Sequence, residues 1–438
     1  MSTNEVSAKK EQKLGMFGAV TFIVGSVIGA GIFVISGSLA SQFGPGMYIS
    51  YILGLIPALG MGLSYASLGS AIPVTAGQYS YICKFINPMV GFMFQWALLL
   101  SGCSITATVC MGISSYLGVY LPGFPSVVWA LGTLILFTVL HIIGLKSAEI
   151  VQNLMVIVMV VVLALFIILG IPNMNPEFSD PLFPNGTNGL IASAATLFFS
   201  YLGFQTVADM GEEVKNPSKT IPYATILSVA IIGLLYIGVA YVMPRIISWE
   251  ELAASGVGLA DAAAKYFPWL GAAITISAIF AILTSVSACI AMNSRYWYVM
   301  GRDGWLPKAL GKRNSKDAPV GAILVFSGIT ALIIVTGWEL TYPATMGSIS
   351  LLIGTAVVAW FPVFLPKKFP EAFDKAVFKM PQPAAVLLAV ITTIVCAVLC
   401  VSTVKGMMVI WLFIAAWMVP GVLIYNRGKK KGLEELGD

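Results

Sequence analysis

Apolar runs of about 20 residues recur along the whole chain, separated by short polar stretches. That is the length a helix needs to cross a hydrocarbon core ~30 Å thick. Period-two alternation is absent, so helices and not a closed barrel satisfy the backbone in lipid. Composition agrees. Of 438 residues, 58% are hydrophobic and 10% are charged, with a mean hydropathy of +0.92. A soluble domain carries roughly 25% charged residues, so this surface is solvated by lipid. The expectation is an all-α integral membrane protein.

Twelve spans are expected, at about 15–40, 47–72, 88–118, 125–144, 149–170, 189–213, 222–244, 269–300, 319–337, 341–366, 383–403 and 407–425. With the N-terminus in the cytoplasm, all of the 24 Lys/Arg except Arg245, Lys265 and Lys405 fall on the cytoplasmic side. This positive-inside bias places both termini in the cytoplasm of a multi-pass cell-membrane protein. The net charge of +5 is therefore a topology signal, and no nucleic-acid partner is expected. Membrane lipids are expected partners, and the oligomeric state is left open. Residues 1–13 are polar and the first apolar run is too long for a cleavable signal. Cys83, Cys103, Cys110, Cys289, Cys396 and Cys400 lie in or beside apolar runs. With His141 the only histidine, they read as buried thiols and not as a zinc site or disulfide framework.

Two spans do not read as ordinary helices. The first contains Gly25-Ser26-Val27-Ile28-Gly29-Ala30-Gly31-Ile32-Phe33, and the sixth contains Phe199-Ser200-Tyr201-Leu202-Gly203-Phe204-Gln205. Each mid-helix glycine costs up to ~1 kcal/mol, so three within seven residues invite an unwound segment. Close packing through small residues explains the first span equally well. The corresponding position of the two segments, if helices 1–5 and 6–10 are repeats, favours a binding site at an inverted-repeat interface.

These segments resemble the amino acid-polyamine-organocation (APC) superfamily of transporters. Three further motifs carry the likeness: Ile72-Pro73-Val74-Thr75-Ala76-Gly77-Gln78-Tyr79, Gly211-Glu212-Glu213-Val214-Lys215-Asn216-Pro217, and Arg302-Asp303-Gly304-Trp305-Leu306-Pro307. They follow in order from residue 15 to about 320. The resemblance implies a LeuT-type core of helices 1–10 over residues 15–366, built as a 5+5 inverted repeat with helices 1 and 6 discontinuous. Residues 367–425 would add a loop and two peripheral helices, flanked by cytoplasmic tails at 1–14 and 426–438. It also implies an amino-acid or amine substrate and alternating access.

The physics of a broken first helix agrees. Backbone N–H groups around Gly29, Ala30 and Gly31 and the helix dipole favour a carboxylate. Unwound carbonyls near Ile28, Phe199 and Tyr201 can take an ammonium. By resemblance Phe199 would stand over the substrate as a gate, the alternative being a packing aromatic. Gly203 and Gln205 complete the expected substrate contacts.

The chain also departs from many relatives. Met159 stands where they carry a lysine in the fifth span, and Ser67 where they often have glutamate. Gln205 replaces an acid that some relatives place after the Gly203 match. The central site thus lacks an obvious carboxylate for a substrate cation. In the eighth span Ala281, Thr284 and Ser285 share a face at i, i+3, i+4. Sodium-coupled LeuT-type transporters use this pattern, completed by first-helix carbonyls that map to Gly25 and Ile28. Hydroxyls and carbonyls make a cage for a hard cation, but such hydroxyls also bond commonly to the preceding turn. Both readings stay open, and Na⁺ is the only cofactor considered. Asp209, the acid clearly inside a span, is a candidate for proton transfer or an inner gate with Arg295, or a structural acceptor. His141 reads as packing, and Glu212 and Glu213 as a solvated helix end. Asn185-Gly186-Thr187 is a formal glycosylation sequon.

An enzyme would need a nucleophile–base pair or a metal cluster, which one histidine does not supply. A channel would show repeated rings of like groups. A non-transporting amino-acid sensor on the same fold stays open in principle, although the expected ends are too short for a signalling domain. The reading is a secondary transporter of small or medium neutral amino acids. Na⁺ symport, proton coupling and exchange of amino acids or amines remain open.

Overall fold

The computed structural model describes residues 14–29, 31–74, 77–120, 123–143, 148–184, 186–187, 190–208, 211, 214–255, 258–316, 318–404 and 408–429. Every regular element among them is helical. The main helices in chain order are α1 (Met16–Val27), α2 (Ser36–Phe43), α3 (Met47–Ala71), α4 (Gly77–Phe85), α5 (Pro88–Tyr120), α6 (Ser126–Ile143) and α7 (Ala148–Gly170). They continue as α8 (Leu190–Leu197), α9 (Pro217–Ile246), α10 (Trp249–Ala254), α11 (Gly258–Ala264), α12 (Pro268–Arg302) and α13 (Val320–Val335). The last are α14 (Thr341–Val358), α15 (Phe361–Lys368), α16 (Pro370–Lys375), α17 (Gln382–Val404) and α18 (Met408–Lys429).

Among the described residues, nine helical stretches are long and apolar enough to cross a membrane, and α1 and α13 are shorter apolar helices. The expected first and sixth spans are both interrupted, after Val27 and after Leu197. Where the sequence reading left loops, the chain forms the short helices α4, α10, α11 and α16. Local chemistry starts one of them: the Ser248 hydroxyl accepts the Glu251 N–H at 3.3 Å at the head of α10, with Glu250 and Glu251 in its first turn.

Burial separates core from rim. In the most apolar window of α5, 78% is buried, against 17% in α18. α5 therefore sits inside, packed by α6, α12, α13 and α14, while α17 and α18 present Val401, Leu412 and Leu423 outward. Lipid is as apolar as leucine, so specific contacts must hold a peripheral helix. For α18 these are two reciprocal bonds, Trp96 Nε1–H to the Trp417 carbonyl at 2.7 Å and Trp417 Nε1–H to the Trp96 carbonyl at 2.9 Å, between rings stacked at 5.0 Å. Elsewhere, Arg245 donates to the carbonyls of Tyr241 (2.7 Å) and Pro45 (3.2 Å) and lies over the Tyr241 ring. This ties the end of α9 to the turn before α3. In α4, burial pushes the Cys83 thiol up to about 11, as expected of an inert thiol.

Candidate functional site

α1 stops because Ile28 turns extended (φ −73°, ψ 99°), its N–H closing the last bond to the Val24 carbonyl at 2.8 Å. The chain resumes as a single wide turn over Gly31–Ile35 and continues into α2. Helix ends leave carbonyls without partners, and here two tyrosines from other helices serve some of them. Tyr236 of α9 donates to the Val27 carbonyl at 2.9 Å, and Tyr116 of α5 to the Phe33 carbonyl at 2.6 Å. The carbonyls of Gly25 and Ile28 and the N–H of Gly29 have no hydrogen-bond partner among the described residues.

The second break closes differently. α8 passes into a tight turn, Phe198–Tyr201, and residues 202–208 run as turns. Gly203 adopts φ +130°, a conformation closed to residues with a Cβ. Its N–H donates to Gln205 Oε1 at 3.3 Å, and its carbonyl accepts the Thr206 N–H (3.0 Å) and hydroxyl (2.7 Å). Tyr201 points into a cluster with Tyr51 and Tyr236, donating to the Tyr51 carbonyl at 3.1 Å.

The two breaks lie against each other with no room for side chains between them. A Cβ on Gly31 would stand 2.6 Å from the Ser200 Cα, and one on Gly203 would stand 2.8 Å from Val27 Cγ2. A Cβ on Gly29 would stand 2.6 Å from Ser285 Oγ of α12. Gly31 and Gly203 are thus points of close contact between the two broken segments, and Gly29 between the first of them and α12.

A cavity of about 90 Å³ opens at this junction, room for several waters or a small solute. Gly29 and Gly31 line it from the first break, and Gly203, Gln205 and Thr206 from the second. α5 contributes Ser101, Gly102 and Ile105, α12 contributes Ser285, Cys289, Met292 and Asn293, and α4 contributes the buried Gln78. No lining residue carries a charge among the described residues. Asn293 donates to the Cys289 carbonyl at 2.8 Å, and its Oδ1 lies against Gly102 of α5.

The other expected residues stand around this cavity. Ile28 and Ala281 are fully buried. Thr284 donates to the carbonyls of Phe280 (2.9 Å) and Ala281 (3.1 Å), the bond to the preceding turn that hydroxyls commonly make. Ser285 Oγ is buried without a partner among the described residues. Met159 is fully buried on α7, which packs against α1 and α12, and Arg295 is half-buried on α12, off the cavity. His141 Nε2 meets Ser287 Oγ at 3.1 Å, a packing role. Ala30, Asn185, Asp209, Glu212, Glu213 and the Phe199 side chain lie outside the described residues.

Sequence reasoning missed Ser101, Gly102, Cys289, Met292 and Asn293 because they sit on unbroken helices. There nothing in composition says which face meets a cavity. Gln78 lay inside a recognised motif, yet its reach to the site depends on α4 folding back.

A family model described as amino acid permease matches residues 14–424. The chain is 31% identical to the branched-chain amino acid permease BcaP of Bacillus subtilis, over 84% of each chain. It is 30% identical to the methylthioribose transporter of the same organism, over 97% of this chain and 95% of that one. It is also 28% identical to the mitochondrial cationic amino acid transporter 3 of Arabidopsis thaliana, over 77% of this chain and 59% of that one.

Proposed function

Because the chain belongs to the amino acid permease family, within the APC superfamily, we propose that it carries a small or medium neutral amino acid across the cell membrane by alternating access. What carries this reading is the cavity at the two breaks, lined by amides, hydroxyls and aliphatic groups without a charged side chain among the described residues. A zwitterion there is met by backbone: the Gly29 N–H for its carboxylate, and unwound carbonyls of the second break, near Phe199 and Tyr201, for its ammonium. An additional cationic group would enter low-dielectric surroundings with no counter-charge, at a cost of several kcal/mol. Arginine-like cations and polyamines should therefore bind poorly.

The nine long apolar stretches, α1 with α2, the broken segment from α8 and α13 make up the twelve spans of a LeuT-type 5+5 core with α17 and α18 peripheral. On this reading both termini are cytoplasmic and Gln78 closes the cytoplasmic side of the cavity. A Na⁺ ion is held by the carbonyls of Gly25, Ile28 and Ala281 and the hydroxyls of Thr284 and Ser285. The supporting observation is that Ser285 Oγ and the Gly25 and Ile28 carbonyls lack partners among the described residues. Thr284 spends its proton on a carbonyl, leaving a lone pair for the ion. A second reading, a neutral methylthio sugar, is favoured by the three amides Gln78, Gln205 and Asn293, which suit hydroxyls, and by the similarity to the methylthioribose transporter.

Ligand-induced thermal stabilisation separates these readings. Alanine, serine, leucine and methionine should raise the Tm of the purified protein, with arginine and putrescine inert. A shift with methylthioribose alone would select the second reading, and arginine ranking above leucine would discard both. Linkage requires Na⁺ to tighten substrate binding and substrate to tighten Na⁺ binding by one factor. Thr284→Ala with Ser285→Ala should erase that factor. Equal substrate affinity in Na⁺ and choline at matched ionic strength would discard the sodium site.

A further inference from the structure

A second cavity, about 320 Å³, lies between α3 and α9, away from the substrate junction. Its walls include Leu59, Gly62 and Leu63 on α3, and Ile226, Ala230 and Gly233 on α9. All of its lining is apolar, and Leu59 and Ala230 are exposed, so the groove opens on the lipid-facing side of the bundle. Two features mark one end of it. Along α9 the steps from Ile226 to Tyr223 and Lys219 keep the same helical face, and Tyr223 (51%) and Lys219 are exposed. Along α3 the same face leads from Leu63 to Ser70. There the Ser70 hydroxyl donates to the Ser218 carbonyl at 2.6 Å and accepts the Val377 N–H at 3.1 Å. α16 carries the exposed Lys375, and the segment that follows it is thereby fixed against the start of α9; Lys215, just before α9, is also exposed.

We propose that the α3/α9 groove binds one acyl chain of an anionic phospholipid whose phosphate is held at the Lys219 and Lys375 end. The lengths agree. Residues 226–237 run ~16 Å along α9, beginning ~10 Å from Lys219, and one leaflet of hydrocarbon is ~15 Å deep. Tyr223 stands between them as an amphipathic residue at the interface level. Charge decides among hydrocarbon occupants: a helix packing into the groove gains nothing from lysines at its mouth, whereas an anionic headgroup gains about fivefold in affinity per lysine. The proposal needs only that the chain resides in a membrane, so it stands apart from the choice of substrate.

The test uses the full-length protein purified in detergent and offered dioleoyl phosphatidylglycerol or dioleoyl phosphatidylcholine, with bound lipid counted by native mass spectrometry. The wild type should retain the phosphatidylglycerol at least ~5-fold better. Ala230→Phe fills the groove from an exposed position without entering the core, and should lower phosphatidylglycerol retention to the phosphatidylcholine level. Lys219→Gln with Lys375→Gln should remove the preference while leaving weak binding of both lipids. Unchanged retention by Ala230→Phe, or equal retention of the two lipids by the wild type, would overturn the proposal.

Discussion

The two breaks look alike in sequence, each a glycine-bearing stretch in mid-span, yet they are satisfied by opposite means. In the second, Gly203 is satisfied from within its own segment: Gln205 takes the Gly203 N–H, and Thr206 gives two bonds to the Gly203 carbonyl. The first is held from outside, by Tyr236 and Tyr116, and keeps the Gly29 N–H and the Gly25 and Ile28 carbonyls open among the described residues. A break that satisfies itself supplies shape. One that leaves groups open supplies ligands, since a buried unpaired backbone group costs ~1–3 kcal/mol until something binds it. On the proposed function, the first break would be the chemical half of the site and the second its mould.

The largest effect should come from filling the contact between them. In Gly31→Val, the Cβ alone would stand 2.6 Å from the Ser200 Cα, a backbone atom that cannot step aside. The breaks must then part by more than an ångström, and uptake into proteoliposomes should fall below detection. Insertion and monodispersity, read by size-exclusion chromatography, should survive, because the surrounding spans do not depend on this contact. Uptake near the wild-type rate would show that the glycines serve only packing.

A smaller effect is expected on the mould. Gly203→Ala forces a Cβ into φ +130°, at a cost of ~1–3 kcal/mol, and against Val27 Cγ2 at 2.8 Å. The methyl of Val27 can rotate, and the nearest backbone atom, Ser26 C, stands at 3.2 Å where the Ser200 Cα stands at 2.6 Å from Gly31, so transport should drop by roughly one to two decades without vanishing. A lower Tm should accompany the drop. A rate equal to that of Gly31→Val would mean that the two breaks are equivalent, and would end the distinction drawn between them.

The first break was legible from glycine spacing and the second from its corresponding position in the sixth span, and the apolar runs gave the all-helical membrane class. The means of closure was not legible. Tyr236 and Tyr116 lie 209 and 83 residues away in sequence from the carbonyls they serve, and a tyrosine inside an apolar run reads as core packing. Ser248-Trp249-Glu250-Glu251 carried a helix-start signature that went unread between two spans. Ser285 was legible through its spacing with Ala281, whereas Asn293, two turns further along α12, follows no pattern.

The smallest effects sharpen the comparison most, because paired changes separate outside support from self-closure. Tyr236→Phe deletes the only hydroxyl bonded to the Val27 carbonyl among the described residues, from a ring that is itself fully buried. The stranded carbonyl should cost ~1–3 kcal/mol, seen as a lower Tm and weaker substrate binding together. Gln205→Leu removes a longer bond, 3.3 Å, from an N–H beside the substrate cavity. A cavity water can replace the lost acceptor at little cost, so the Tm should hold within about a degree, the loss being a few tenths of a kcal/mol. Any change should then appear in KM alone, by less than tenfold, as one polar contact to the solute is lost. If Gln205→Leu lowered the Tm as far as Tyr236→Phe does, the second break would depend on its glutamine as the first depends on its tyrosine. The division into a ligand-giving break and a self-closed one would then have to be abandoned.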